Sequence, residues 1–239
     1  MKNPFYLTLA RRDRLSAAEI EIIREISSHG QPFSAKSDIV VEGANPKLSC
    51  LMLSGFSARY HLLRDGRRQI TAVHIAGDFV DLHSFLLSRM DHSVTALTDC
   101  EISLVSHAYI RDLTVSEPHF ARLLWMTTTI DAAIYRQWLV AAGRLSPTSQ
   151  IAHFILEMYM RLRLIDMTNG FEFRLPLSQT DLSDAMGLSL VHVNRTLQQL
   201  RRSGLIDWQG EIVRILDWEA LNQIAEFNDT YLNLEPEPR

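Results

Sequence analysis

The stretch "SQTDLSDAMGLSLVHVNRTLQQLRRSG", residues 178–204, constrains the fold of this chain more than any other. Apolar residues recur in it at helical spacing on both sides of a single glycine. Ser178 can cap a first helix whose buried side carries Leu182, Ala185 and Met186. Gly187, without a Cβ, can take the positive φ that a sharp turn demands. Ser189 then caps a second helix, with Val193, Leu197 and Leu200 as its buried stripe. "LIDWQGEIVRIL" follows and alternates around Gln209–Gly210 as a β-hairpin. Two helices, a tight turn and a hairpin form the pattern of a winged helix-turn-helix.

The chemistry of the second helix points the same way. Residues 187–206 hold three arginines and no acid, in a chain of net charge −4. Opposite the buried stripe lie Leu190, Val191, His192, Asn194, Arg195, Gln198, Arg201 and Arg202. Asn and Gln can pair bidentately with adenine, Arg with guanine, and aliphatic groups can touch a thymine methyl. Leu190, Val191, His192, Asn194 and Arg195 are therefore the expected base readers. Ser178, Ser189, Gln198, Arg201 and Arg202 are the expected phosphate contacts, and double-stranded DNA is the expected partner. The alternative is a solvated amphipathic helix at the end of a bundle.

Upstream, residues 15–28 read as a short amphipathic helix, with Ser16 and Glu19 as its capping box. Between Gly30 and about residue 106 come short β-branched strands separated by Asp65–Gly66 and Gly77–Asp78, the pattern of a small β-roll. From Pro118 to Gly143 the period becomes helical. Leu123, Met126, Ile130, Ala133, Gln137 and Val140 follow alternating steps of three and four, a coiled-coil seam for a second copy of the chain. Thr127, Ile130, Ile134, Trp138 and Ala141 form a second stripe that would cover the β-roll. A single broad core stripe in a monomer is the other reading. "GRLSPTSQ" (143–150) has the composition of a hinge, and the final "NLEPEPR" reads as disordered. The expected fold is α+β: an N-terminal helix and β-roll (1–117), a dimerisation helix with hinge (118–145), and a winged helix-turn-helix domain (146–239).

Composition closes off other classes. No apolar run approaches the roughly 18 residues of a membrane span, and the N-terminus lacks a signal-peptide core, so a cytoplasmic protein without a membrane partner is expected. Cys50 and Cys100 stand fifty residues apart inside apolar runs and read as core residues. No P-loop, HExxH or GxSxG motif is present. His74, Asp78, Asp81 and His83 could form a metal or acid–base cluster of a β-roll enzyme, but a His-x-His pair is missing. The expectation is a protein that is not an enzyme.

The order of elements, with "GDFVDLHS" (77–84), "TALTDCEI" (95–102) and "LSQTDLSDAMGLSLVHVNRTLQQLRRSGLI" (177–206), resembles the catabolite activator/fumarate–nitrate regulator (Crp/Fnr) superfamily of bacterial transcription factors over about residues 10–230. The resemblance implies a homodimer on a palindromic operator, a small-molecule effector of unknown identity, and RNA polymerase as a further partner. It maps base reading onto Leu190, Val191, Asn194 and Arg195. Members that bind cyclic nucleotides carry a glutamate after the GDF turn and an Arg–Ser pair soon after; here stand Asp81–Leu82 and Met90–Asp91–His92–Ser93. Cyclic AMP is therefore not the expected effector. Asp81, His83, Tyr135 and Arg136 are the expected effector-pocket residues. No cofactor is expected. The alternative is a haem on His83, which falls where a carbon-monoxide sensor of the family has its ligating histidine; the competing role is a β-roll histidine hydrogen-bonded near Asp81 or Asp91.

Overall fold

The computed structural model describes residues 3–238. They pack as two units, one of residues 3–61, 72–132 and 233–238, the other of residues 62–71 and 133–232. The division runs through a long helix, and a hairpin tip from the roll (62–71) clusters with the second unit.

The first unit opens with helices α1 (Pro4–Ala10) and α2 (Ala17–Ile26). The sequence reading missed α1. Its signal is local: the Asn3 carboxamide accepts from the Phe5 and Tyr6 amides, and Pro4 begins the first turn. Helix α2 has the expected capping box of Ser16 and Glu19. Seven strands follow: β1 (Gly30–Phe33), β2 (Asp38–Val40), β3 (Leu48–Ser54), β4 (Ser57–Leu62), β5 (Arg68–His74), β6 (Ser93–Ala96) and β7 (Cys100–Ser106). They form two antiparallel sheets, β1-β7-β3 and β2-β6-β4-β5, the expected β-roll. A short 3-10 turn (Leu82–Leu86) lies between β5 and β6. Helix α3 (His107–Ser116), capped by Ser106, was not foreseen either.

The core explains the arrangement. Phe5, Leu9, Ile23, Leu51, Phe120 and Leu123 close one cluster, and Met52, Val94 and Ile102 lie in another. Gly77 allows α1 its close approach: φ is +90°, and a Cβ there would meet the Pro4 carbonyl at 2.9 Å. Cys50 and Cys100 are free and buried, as the sequence suggested. The C-terminal segment was expected to be disordered, yet it packs on this unit. Arg12 Nε donates to the Asn233 carbonyl (3.0 Å), and the Glu237 amide to the Arg12 carbonyl (3.0 Å). A polar, proline-containing tail can be fixed by backbone hydrogen bonds that composition does not reveal.

Helix α4 (Pro118–Arg144) starts in this unit. His119 sits between the Glu19 carboxylate (2.5 Å) and Asp13 (3.3 Å). The Glu19 bond, with Asp13, raises its pKa above the ordinary imidazole value. His119 therefore adds stability that is fully present below pH 6.5 and lost as pH rises through the raised pKa. Glu19, lowered by its Ser16 and His119 bonds against burial, adds stability that is lost as pH falls through its depressed value. A histidine NMR titration should give His119 a pKa above 6.5 that drops back in Glu19→Gln; an unchanged value in that variant would rule the pairing out.

The second unit is built on α5 (Pro147–Leu164), buried continuously from Gln150 to Leu162. Ser146 caps it and Pro147 occupies its first turn; the expected hinge segment (143–150) holds the two-residue break between α4 and α5. Around α5 lie β8 (Thr168–Asn169), β9 (Glu172–Arg174), α6 (Gln179–Met186), α7 (Leu190–Arg202), β10 (Ile206–Gln209), β11 (Ile212–Ile215) and α8 (Trp218–Ala225). The wing is a sheet of order β10-β11-β9-β8. Glu157 on α5 lies wholly buried and accepts from Trp138 Nε1 of α4 (3.0 Å) and the Tyr231 hydroxyl (2.9 Å), with Arg161 beside it.

Candidate nucleic-acid interface and effector roll

The helix pair forms as its sequence dictates. Ser178 accepts from the Asp181 amide, and Asp181 bonds back to Ser178. Gly187 ends α6 at φ +64° in the left-handed region. Ser189 caps α7 by accepting from the His192 amide. Val193 and Leu200 are completely buried and Leu197 almost so, joined by Thr196, which fixes the outward face. Leu190, His192, Asn194, Arg195, Gln198, Arg201 and Arg202 are all exposed, with Val191 the most exposed apolar residue there at 77%.

Several of these side chains already have partners. Asn194 Nδ2 donates to Gln179 Oε1 (3.2 Å), and Gln198 Nε2 donates to Asn194 Oδ1 (2.9 Å). Gln179, absent from the sequence reading, thus holds Asn194 in place across the turn. The Ser178 hydroxyl donates to Asp181 Oδ2 (2.6 Å), and Ser189 Oγ lies 2.9 Å from His192 Nδ1. Arg201 Nη2 donates to the Trp208 carbonyl (2.6 Å), which ties α7 to the wing. Ser178 and Arg201 thus have structural roles within the unit. Arg68, from the hairpin tip, donates to Asp181 (2.6 Å) and Asp184 (2.8 Å). That pairing ties the two acids on α6, one turn apart, to a single guanidinium and offsets one of their two charges.

In the roll, Asp81 is buried and accepts from the Cys50 amide (2.6 Å). Burial pushes its carboxyl up to about 6, although the Cys50 bond and Arg59 pull it down. Arg59 on β4, unnoticed in the sequence, donates to Asp131 Oδ2 (3.0 Å) and the Val80 carbonyl (2.9 Å). His83 is half-buried, its pKa lowered by burial and then by Arg59. Its ring lies 5.1 Å from that of His92. The histidine bonded to Asp91 is His92, through Nδ1 at 2.8 Å, and not His83. Burial and Arg59 bring His92 down to about 4. Tyr135 and Arg136, expected in the pocket, are exposed on α4. Asp131, one turn earlier, is the α4 residue that reaches Arg59.

Helix α4 also corrects the expected seam. Leu123 and Met126 are buried in the chain's own core, and Ile130 packs against it. Ala133 and Gln137 are half-buried; only Val140 is exposed. The exposed heptad series is Arg122, Trp125, Thr129, Ala132, Arg136, Leu139 and Gly143. It sits one residue earlier, about 100° around the helix. Periodicity shows that a helix has an apolar face, but not which neighbour covers it.

A β-roll joined by a long helix to a winged helix-turn-helix with a basic outward face defines a DNA-binding transcription regulator. Residues 149–224 match the Crp-like helix-turn-helix domain and residues 31–117 the cyclic nucleotide-binding domain. The chain is 28% identical over 207 residues to the transcriptional activator protein FnrL of Cereibacter sphaeroides, covering 84% of this chain and 80% of that protein. It is 28% identical over 198 residues to the nitrogen fixation regulation protein FixK of Bradyrhizobium diazoefficiens, covering 80% and 79%. The structure of FixK2 from Bradyrhizobium japonicum superposes with a TM-score of 0.75 at 26% identity, covering 82% of this chain and 96% of that one. The chain belongs to the Crp/Fnr superfamily of transcription regulators. Among the described residues, no helix is long and apolar enough to cross a membrane.

Proposed function

We propose that two copies of the chain pair along α4 and read a palindromic operator, each placing α7 in a major groove about 34–36 Å from the other. The observation that carries this reading is the α7 face itself: exposed Leu190, Val191, Asn194 and Arg195, set on a rigid capped turn with no carboxylate among them. Arg195 reads guanine, Asn194 reads adenine, and Leu190 with Val191 contact thymine methyls. Arg202 and Gln198 serve phosphates. RNA polymerase is the partner the family resemblance implies.

For the dimer, support comes from the exposed heptad series on α4. Trp125 is 74% and Leu139 65% exposed, costly for a monomer to leave in water. Trp125 and the exposed Leu86 flank an apolar groove of about 460 Å³ that a partner helix would cover. Leu139→Asp should yield a monomer by light scattering and lose palindrome binding, whereas the wild type should bind a selected palindrome with two chains per operator. A Leu139→Asp chain that stays dimeric, or no palindrome emerging from random-site selection, would overturn this reading.

The roll is proposed to take neither cyclic AMP nor haem. Asp81 spends its carboxylate on the Cys50 amide, and Arg59 is committed to Asp131, which leaves a cyclic phosphate without a ready cation partner. A haem on His83 would need a flat slot at that ring. His92 closes one side at 5.1 Å, and the groove on the other side has no second histidine, methionine or cysteine in its lining.

A further inference from the structure

We propose that His83, Asp91 and His92 form a binding site for a divalent first-row transition-metal ion in the β-roll. The three side chains come from the 3-10 turn after β5 and from the approach to β6. Each offers one ligand atom, and all three atoms lie within 4.8 Å of one another.

A second, independent observation points to a ligand. His92 is 2% exposed, and its Nε2 is buried without a hydrogen-bond partner. An orphaned buried polar atom carries a desolvation cost of roughly 1–3 kcal/mol, which a bound ion at Nε2 would offset. Asp91 Oδ1 lies 2.8 Å from His92 Nδ1; as a metal ligand Asp91 exchanges that hydrogen bond for a bond to the ion.

Two imidazoles and one carboxylate suit zinc, cobalt, nickel or ferrous iron, and are too nitrogen-rich for magnesium or calcium. Metal bonds of about 2.0–2.2 Å need ligand atoms about 3.3 Å apart. Rotation of His83, half-buried on a short turn, and of Asp91, whose side chain is 71% exposed, can close that difference. Asp91 and Asp131 oppose the charge of Arg59 at His83, and Arg59 is itself paired with Asp131. His61 stands at the edge, its ring 6.4 Å from His92 and its Nδ1 3.9 Å from Glu42. Water or His61 would complete the coordination.

The site is independent of DNA binding and is tested without it. Full-length protein stripped with a chelator is titrated with Co²⁺, and the visible d–d absorption is recorded before displacement by Zn²⁺. One ion per chain is expected, with absorption that Zn²⁺ abolishes. Asp91→Asn and His83→Gln should each weaken Co²⁺ binding at least tenfold, and the double variant should show none. Both residues are more accessible than His92, so folding of these variants is checked by circular dichroism; His92→Gln provides a third arm. Absence of a Co²⁺ band, or a band with the same affinity in folded Asp91→Asn and His83→Gln, would overturn the proposal.

Discussion

Arg195→Ala is expected to remove discrimination at the guanine that the proposed register assigns to it, while leaving the fold and the oligomeric state unchanged. Arg195 is exposed on α7 with its neighbours Thr196 and Leu197 buried, so truncation removes no core contact. A bidentate Arg–guanine pair contributes about 1–3 kcal/mol of discrimination, or about 5- to 150-fold at each half-site. The measurement is fluorescence anisotropy on a selected palindrome and on the same palindrome with that base pair changed. Wild type should separate the two; Arg195→Ala should bind both alike. Retained discrimination would show that α7 lies in the groove in a different register. Arg202→Ala should behave differently: weaker binding on every sequence and a salt slope shallower by about 1. Arg201→Ala should also loosen the wing, because Arg201 holds the Trp208 carbonyl.

The second large effect is expected at Glu157. Its side chain is completely buried and accepts from Trp138, Tyr231 and Arg161, binding α4, α5 and the segment after α8 into one network. Glu157→Ala leaves the Trp138 indole and the Tyr231 hydroxyl without their acceptor. At about 1–3 kcal/mol for each orphaned group, and about 3–5 kcal/mol for breaking a buried ion pair, the second unit should lose at least about 3 kcal/mol. Urea unfolding followed by tryptophan fluorescence measures this. Glu157→Gln keeps an acceptor oxygen for both donors and should lose much less. The pH dependence has a definite sign. Burial holds the Glu157 carboxyl above its ordinary value, against the pull of Arg161. Its contribution to stability is therefore full below the unfolded carboxyl pKa and declines as pH rises through the raised value. Glu157→Gln should flatten that decline. An Ala variant within about 1 kcal/mol of wild type would remove Glu157 from the structural account.

Legibility followed range. The caps at Ser16, Ser178 and Ser189, the left-handed Gly187 and the buried stripe of Val193, Leu197 and Leu200 all stand as read. Each depends on residues within one or two turns. Local composition with two meanings, or too little of it, is harder to read. "GRLSPTSQ" has a linker's composition and holds the break between α4 and α5, while Ser146 and Pro147 also serve as a cap and a first-turn proline. Helix α1 has only seven residues, too few for a periodic signal, and only Asn3 and Pro4 mark it.

By itself the sequence determined the helix–turn–helix, its basic outward face and the strand character of the roll. Those follow from side-chain period, backbone freedom at one glycine and capping chemistry. Tertiary structure alone decided which face of α4 is spent on the chain's own core and which is left exposed. It also decided that Arg59, His83, Asp91, His92 and Asp131, spread over 73 positions of the chain, share one corner of the roll. The physical reason is the same in both cases: periodicity records that a residue needs covering, and only packing decides what covers it.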